Sequence, residues 1–259
     1  MDQELMIENA IKRVTAEMNA SGVPQSGCNQ DIGVSEFVGT AIGGTIGLVI
    51  AGVDPMLTGT LELGKYRSIG IIGSRSGLAP QVMAVDEAVK ATNTEVICIE
   101  PIRDDTSCGQ GTLIMLGADD VSDARRAIEI ALGCLDKFFG DVYMNDAGHL
   151  EFQYTARASH CVAKAFGSPL GKAFGLVCGA PAAIGVVLSD VAVKAATVEL
   201  VSYTSPAGGE GFTYQNEVTL TFTGDSGAVR QAVRASIDVG IKLLGAMDVE
   251  PKSCSTPYI

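Results

Sequence analysis

The chain contains one structural segment twice. Residues 83–96 (MAVDEAVKATNTEV) and 187–200 (VLSDVAVKAATVEL) share a pattern, and each carries a single lysine, Lys90 or Lys194, at a separation of about 104 residues. Both copies have the composition of an alanine-rich helix that leads into a β-branched strand. Self-similarity at a fixed period indicates one unit used twice, so the sequence predicts two tandem domains.

Other segments repeat in the same order. They are 70–73 with 175–178, 117–128 with 224–233, and 36–41 with 151–156. The last pair has a separation about ten residues larger than the others. This alignment therefore predicts an insertion of about that size within residues 54–65 of the first copy.

The predicted elements give each copy a mostly antiparallel sheet with short helices on one face, which is an α+β architecture. Predicted strands are 36–41, 45–53, 67–73, 95–100 and 112–117, then 150–156, 172–178, 198–204 and 216–223. Predicted helices are 80–92, 121–138 (capped by Ser122), 184–196 and 226–245. The predicted divisions are an amphipathic helix at 1–18, a linker at 19–34, domains at 35–141 and 142–250, and a tail at 251–259.

Composition excludes several classes of function. The net charge of −12 argues against nucleic-acid binding, which depends on lysine and arginine. The uncharged run 39–53 is too short to span a membrane, and we expect no membrane association. Seven cysteines without a CxxC pair, together with an acidic N-terminus unlike a signal peptide, indicate a reducing, cytoplasmic location.

The sequence offers little for catalysis. His149 and His160 are the only histidines, and His160 adjoins Cys161 in a way that does not let both face one site. The pair Asp119-Asp120 precedes a helix and is typical of capping, while 73–77 (GSRSG) lacks the pattern of a phosphate-binding loop. We therefore expect no enzyme activity, no catalytic residue, no metal and no cofactor.

The cysteines divide into two groups. Cys98, Cys134 and Cys178 lie in apolar runs, and we interpret them as small buried hydrophobic side chains. Cys108 lies in a polar loop instead. It is either a plain free thiol or, in a symmetric trimer, one of three thiols that could hold a metal–sulfur centre on the axis.

Two polar, glycine-rich loops occupy equivalent places in the copies, at 101–111 and 205–213. They are either ordinary surface loops or the lining of a pore. The candidate pore residues are Arg103, Asp104, Asp105, Thr106, Ser107, Cys108, Gly109, Gln110 and Gly111 in the first loop, and Pro206, Gly208, Gly209, Glu210 and Gly211 in the second. Their acidic and amide groups would favour uncharged hydrogen-bonding solutes over anions.

The motifs resemble those of bacterial microcompartment shell proteins. The features in common are a glycine-bearing strand, an alanine-rich helix with one lysine, a glycine-rich loop and a helix start of the form GDSGAV. Longer stretches resemble the tandem-domain shell proteins of propanediol- and ethanol-utilising compartments. These stretches are 65–71, 86–93, 139–143, 153–158, 224–233 and 257–259.

This resemblance implies two tandem, circularly permuted, ferredoxin-like shell domains, with three chains forming a pseudohexameric trimer. It implies that such trimers tile beside other shell proteins into a compartment shell in the cytoplasm. Lys90, Lys194 and Arg157 match positions at the tile edge, and the two loops match pore loops.

The resemblance also implies ligands and partners. Small polyols or alcohols, such as propanediol, glycerol or ethanol, would cross the tile selectively, either through a pore at its centre or through narrower channels within each subunit. The N-terminal helix would either dock on its own domain or bind a cargo enzyme or adaptor. The alternative function is a trimer of the same fold that binds or senses a small molecule and does not tile.

Overall fold

The computed structural model describes residues 35–102, 110–206 and 216–259. The predicted N-terminal helix and linker lie outside these residues. We use first domain for the part that contains strands β1–β5 and second domain for the part that contains β6–β11.

The first domain alternates strands with three helices. Its elements are β1 Ser35–Ala41, β2 Thr45–Ile50, α1 Pro55–Thr58, β3 Ser68–Ser74, α2 Leu78–Ala91, β4 Thr94–Ile102, β5 Gly111–Ala118 and α3 Val121–Phe138. The second domain follows the same order. Its elements are β6 Val142–Asn145, β7 Gly148–Thr155, α4 His160–Phe166, β8 Ala173–Ala180, α5 Ala182–Ala195, β9 Glu199–Thr204, β10 Val218–Gly224, α6 Ser226–Gly245 and β11 Lys252–Ser253.

Each domain has one antiparallel sheet. The strand order is β1-β2-β3-β5-β4 in the first and β11-β6-β7-β8-β10-β9 in the second. The orders coincide when β1 is matched with β6, β2 with β7, β3 with β8, β4 with β9 and β5 with β10. The predicted α+β fold with two tandem domains is confirmed, and every strand and helix predicted between residues 36 and 245 has a counterpart within a few residues.

One predicted correspondence is wrong. The stretch 36–41 forms β1, whereas the stretch that it resembles forms β7, and the true counterpart of β7 is β2. In the two sheets, Ile46 pairs with Gly73 and Glu151 pairs with Cys178. Each residue of the first pair lies about 105 positions before its counterpart in the second pair, so no insertion is needed. Local similarity misled the alignment because hydrogen-bond register, not composition, decides which strands correspond.

Helix α3 packs on its sheet where two strand residues have no side chain. A Cβ atom at Gly47 would lie 2.5 Å from Ile128 Cγ2, and one at Gly70 would lie 2.8 Å from Ile128 Cγ1. The fully buried Ile128 fills this space. The helix is capped by Asp120, whose Oδ1 accepts the backbone N–H of Ser122 at 2.8 Å, so the prediction that Ser122 is the cap is wrong.

The sequence patterns did not predict α1, α4, β6 or β11, all of which are short. Among the described residues, no helix combines the length and apolar character needed to cross a bilayer. The tail beyond α6 contacts the rest of the chain, since the Asp141 carboxylate accepts the backbone N–H groups of Tyr258 and Ile259 at 3.0 and 3.1 Å.

Candidate functional site

The two domains meet where α4 of the second packs against α2 of the first. We call this contact the joint. Cys161 and Val162 of α4 are fully buried in a hydrophobic cluster that also contains Val82 and Val85 of α2. One apolar core therefore continues across the joint, and burial of this kind is the main source of stability in a protein interior.

A buried carboxylate fixes the start of α4 at the joint. Asp86 Oδ1 accepts the backbone N–H groups of Ser159 and Val162 at 3.2 and 3.3 Å, and the Ser159 hydroxyl also donates to it. Asp86 Oδ2 lies 2.7 Å from Lys90 Nζ. Because hydrogen bonds to charged groups are stronger than neutral ones, Asp86 ties α2 of one domain to α4 of the other.

Two predicted edge residues, from different domains, come together beside the joint. Lys90 and Arg157 line one open groove, which His160 and Leu170 also border. Lys90 Nζ is held by Asp86 and, at 2.9 Å, by Glu87 Oε1. These two carboxylates therefore fix the orientation of the Lys90 ammonium group.

The third predicted edge residue lies in a different environment. Lys194 Nζ contacts Asp190 Oδ2 at 2.6 Å, and both side chains are mostly exposed. The counterpart of Arg157 in the first domain is Gly52, since the strands before them correspond at about 105 residues. Only one of these two equivalent positions in each chain therefore carries an arginine.

Equivalent faces of the two lysine-bearing helices differ sharply in exposure. Val82 and Met83 of α2 are 0% and 1% exposed, while their counterparts on α5, Val186 and Val187, are 49% and 42% exposed. The neighbouring strand repeats the difference, because Val96 is 7% exposed and its counterpart Leu200 is 63% exposed. The sequence keeps this face apolar in both copies, but among residues 35–102, 110–206 and 216–259 only the face of the first copy is covered.

A cleft of about 360 Å³ opens between the domains, next to the joint. Its second-domain wall carries hydroxyl and carboxylate groups, and its first-domain wall includes the start of α2. The polar residues of the second domain that line the cleft are Ser202, Thr204, Thr219, Thr221, Glu151 and Glu217. Ser202 and Thr221 hydroxyl oxygens lie 2.7 Å apart, which leaves each with further hydrogen-bonding capacity.

Burial perturbs Glu151, which lines the cleft, and Cys178, which pairs with Glu151 across β7 and β8. Burial, together with the negative charge of Glu217, raises the pKa of Glu151 from its ordinary 4.5 to about 7. Burial and the same carboxylates raise the pKa of the Cys178 thiol well above its usual range. Perturbed pKa values of this kind are typical of functional sites as well as of buried networks.

Most predicted pore residues lie outside the part of the chain that the structure describes. The first-loop residues 103–109 and the second-loop residues 208–211 lie outside the described residues. Gln110, Pro206 and Gly111 are described. Gln110 borders the cleft, its backbone carbonyl accepts the N–H of Leu78 at 2.8 Å, and Gly111 starts β5 where a Cβ atom would lie 2.3 Å from the Ser74 carbonyl oxygen.

Sequence reasoning missed His149, Glu151 and Glu217 as site residues. His149, Glu151 and Gln153 alternate along β7 and therefore share one face of the sheet. This period-two polar pattern inside a buried strand was the available signal. Cys178 is buried as predicted, but carboxylates lie beside it, and Cys98 and Cys134 are only half-buried.

Comparison with known proteins agrees with the architecture. The model of the BMC domain matches residues 68–145 and 173–252, one match in each half of the chain. A "Bacterial microcompartment shell protein PduB" of Citrobacter freundii is 56% identical over 228 residues, which are 87% of this chain and 84% of that protein.

Solved structures give the same result. The crystal structure of a trimeric bacterial microcompartment shell protein PduB superposes with a TM-score of 0.83 at 50% identity, covering 86% of this chain and 99% of that one. EtuB from Clostridium kluyveri has a TM-score of 0.83 at 53% identity, with coverages of 86% and 98%. The chain thus belongs to the BMC-domain family as a tandem-domain, structural shell protein of the PduB type, not an enzyme.

Proposed function

We propose that three copies of the chain close into a ring that tiles into a microcompartment shell. The observation that carries this proposal is an apolar face on α5 that no other described residue covers, defined by Val186 and Val187 and continued by Leu200 on β9. Its counterpart in the first domain is covered by α4. A second copy of the chain is the cover that fits, because it carries a segment at the position equivalent to α4.

That segment is α1. It lies between β2 and β3, as α4 lies between β7 and β8, and its Met56 and Leu57 are well exposed. Packing of α1 from one chain against α5 of the next would repeat the internal joint between chains. Three chains would then contain three internal and three intermolecular joints in a closed cyclic assembly, in line with the trimeric PduB structure.

The ring edge would use the two lysines. Lys90 lies in an open groove with Arg157 from the other domain, and Lys194 is exposed at the equivalent point of α5. A lysine at such an edge can donate to backbone carbonyls of the next tile, and weak contacts accumulate in a lattice through effective concentration. Three arginines per ring, not six, would make alternate edges different.

The tiling proposal predicts the effect of removing the lysines. We expect Lys90→Ala combined with Lys194→Ala to abolish extended sheets in electron micrographs while the mass of the particle in solution stays that of three chains. Lys65→Ala, at an exposed lysine outside α2 and α5, is the control and should still form sheets. Sheets that persist in the double variant would contradict the edge assignment.

We further propose that the pore serves small, uncharged, polar metabolites such as propanediol, glycerol or ethanol. The cleft supports this proposal, since its second-domain wall offers hydroxyl oxygens from Ser202, Thr204, Thr219 and Thr221. Glu151 and Glu217 also line the cleft and would disfavour anions. Asp104, Asp105 and Glu210 of the predicted pore loops would add to the same selectivity.

Saturation-transfer NMR tests the cleft as a polyol site. Glycerol and 1,2-propanediol should receive magnetisation from the wild-type protein, whereas acetate should not. Thr221→Val, which removes one hydroxyl at nearly constant volume, should reduce the transfer to glycerol severalfold. Equal transfer to acetate, or no change in the variant, would contradict the proposal.

The segment 1–34 remains the proposed link to a cargo enzyme or adaptor. Deletion of these residues should leave the three-chain particle intact and lower the amount of cargo that purifies with the shell. Cargo recovery equal to that of the full chain would contradict this role.

A further inference from the structure

Three different metal-binding side chains converge in the second sheet, behind the cleft. His149 on β7, Cys178 on β8 and Glu217, which directly precedes β10, each offer one ligand atom, and these atoms lie within 4.8 Å of one another. All three side chains are more than nine-tenths buried. His149 Nε2 already lies 3.1 Å from Glu217 Oε2. Neither the joint nor the tile edge uses these residues.

Glu151 supplies a separate observation at the same place. It pairs directly with Cys178 across β7 and β8, and it is more than nine-tenths buried. The backbone N–H of Ala79 donates to its carboxylate, but its Oε1 is buried without a hydrogen-bond partner among the described residues. A buried carboxylate oxygen without a donor is unfavourable, and a bound cation would satisfy it.

The cluster is not required by the fold. Strand register matches Glu151 with Ile46 and Cys178 with Gly73. By the same register, Gly44 of the first domain corresponds to His149, and Gly111 corresponds to Glu217. The first domain therefore forms the same sheet with no ligand side chain at any of the four positions. The polar cluster is a property of the second domain alone.

We propose that His149, Cys178 and Glu217 bind one zinc ion, with Glu151 at the fourth position or on a metal-bound water. Zinc takes imidazole, thiolate and carboxylate ligands in a tetrahedral arrangement. With metal–ligand bonds of about 2.0–2.3 Å, neighbouring ligand atoms lie roughly 3.3–3.8 Å apart. The His149–Glu217 contact is close to this spacing, and the distances from Cys178 to these two ligand atoms, at most 4.8 Å, need to shorten by no more than roughly 1–1.5 Å.

Zinc binding replaces one proton of the protein with the metal ion. The Cys178 thiol gives up its proton to solvent as the sulfur–zinc bond forms, and no electron is transferred. The ion would join β7, β8 and β10 immediately behind the cleft, and in sequence Glu217 lies just beyond the predicted second pore loop. This inference revises the expectation of no metal, and it does not depend on the trimer or the pore.

Cobalt titration tests the site directly. Full-length protein freed of metal with a chelator is titrated with Co²⁺ alone. We expect saturation at one ion per chain, visible bands of tetrahedral cobalt, and a sulfur-to-cobalt charge-transfer band in the near ultraviolet, all removed by added Zn²⁺. Direct elemental analysis after dialysis against micromolar Zn²⁺ should likewise find about one zinc per chain.

Matched variants assign the ligands. Cys178→Ser should abolish the charge-transfer band and weaken zinc binding at least about tenfold, and His149→Gln should weaken binding to a similar extent. Cys161→Ser, which changes a cysteine that is equally buried but belongs to the joint, should alter neither. A charge-transfer band that survives Cys178→Ser would overturn the proposal. If the variants do not fold, wild-type protein that retains less than about one-tenth of a zinc per chain overturns it.

Discussion

Asp86 is a buried carboxylate with partners in both domains, and its counterpart Asp190 is not. We expect Asp86→Asn to lower the free energy of unfolding by about 2–3 kcal/mol, because the substitution removes a charge that accepts several hydrogen bonds and pairs with Lys90. Asp190→Asn alters only an exposed pair and should change stability by less than about 0.5 kcal/mol. Urea unfolding of both variants at one protein concentration measures the difference. Equal losses would contradict the role of Asp86 in the joint.

The surroundings of individual residues were the least predictable feature from the sequence. The repeated Asp-Lys pair could be recognised at both sites, but its burial at only one of them depends on α4, which the patterns did not predict. His149 and Glu217 are separated by 68 positions in the chain. Only the pairing of β7 with β8 and of β8 with β10 brings them together, so neither composition nor local spacing could have revealed their cluster.

At the scale of elements, α5 presents an apolar face that no other described segment covers. Val187→Lys places a charge on this face, and burial of an unpaired ammonium group in an interface is costly. We expect the variant to dissociate from three chains to one at micromolar concentration, as measured by light scattering. Val249→Lys, at an exposed valine beyond α6, is the control and should keep the wild-type mass. Dissociation of the control alone would show that α5 is not the interface.

Most regular elements were predictable from sequence because their periodicity is strong. Helix α3, for example, repeats apolar residues along one face, of which Ala124, Ile128 and Leu135 are fully buried. Short elements were missed, since four residues of α1 or two of β11 carry too little periodicity. The match of residues 36–41 with β7 failed for a related reason, because six similar residues do not determine which partner a strand has in the sheet.

At the scale of the whole molecule, the internal joint is the template for the proposed assembly. The duplication gives each chain two similar apolar faces and two similar covering segments, but in the part of the chain that the structure describes only one face and one cover meet. The remaining face, on α5, and the remaining segment, α1, are both exposed among the described residues, and we propose that they meet between chains. The ring, its edges and any pore on its axis follow from this arrangement.

The mass of the wild-type protein in solution, followed by electron microscopy of the same sample, tests this central claim most directly. The account predicts a particle of about 80 kDa, three chains of 26.8 kDa in a closed ring, and flat hexagonal particles that associate edge to edge. A mass of one or two chains at micromolar concentration would contradict it, because the α5 face would then remain uncovered or be covered in a different way.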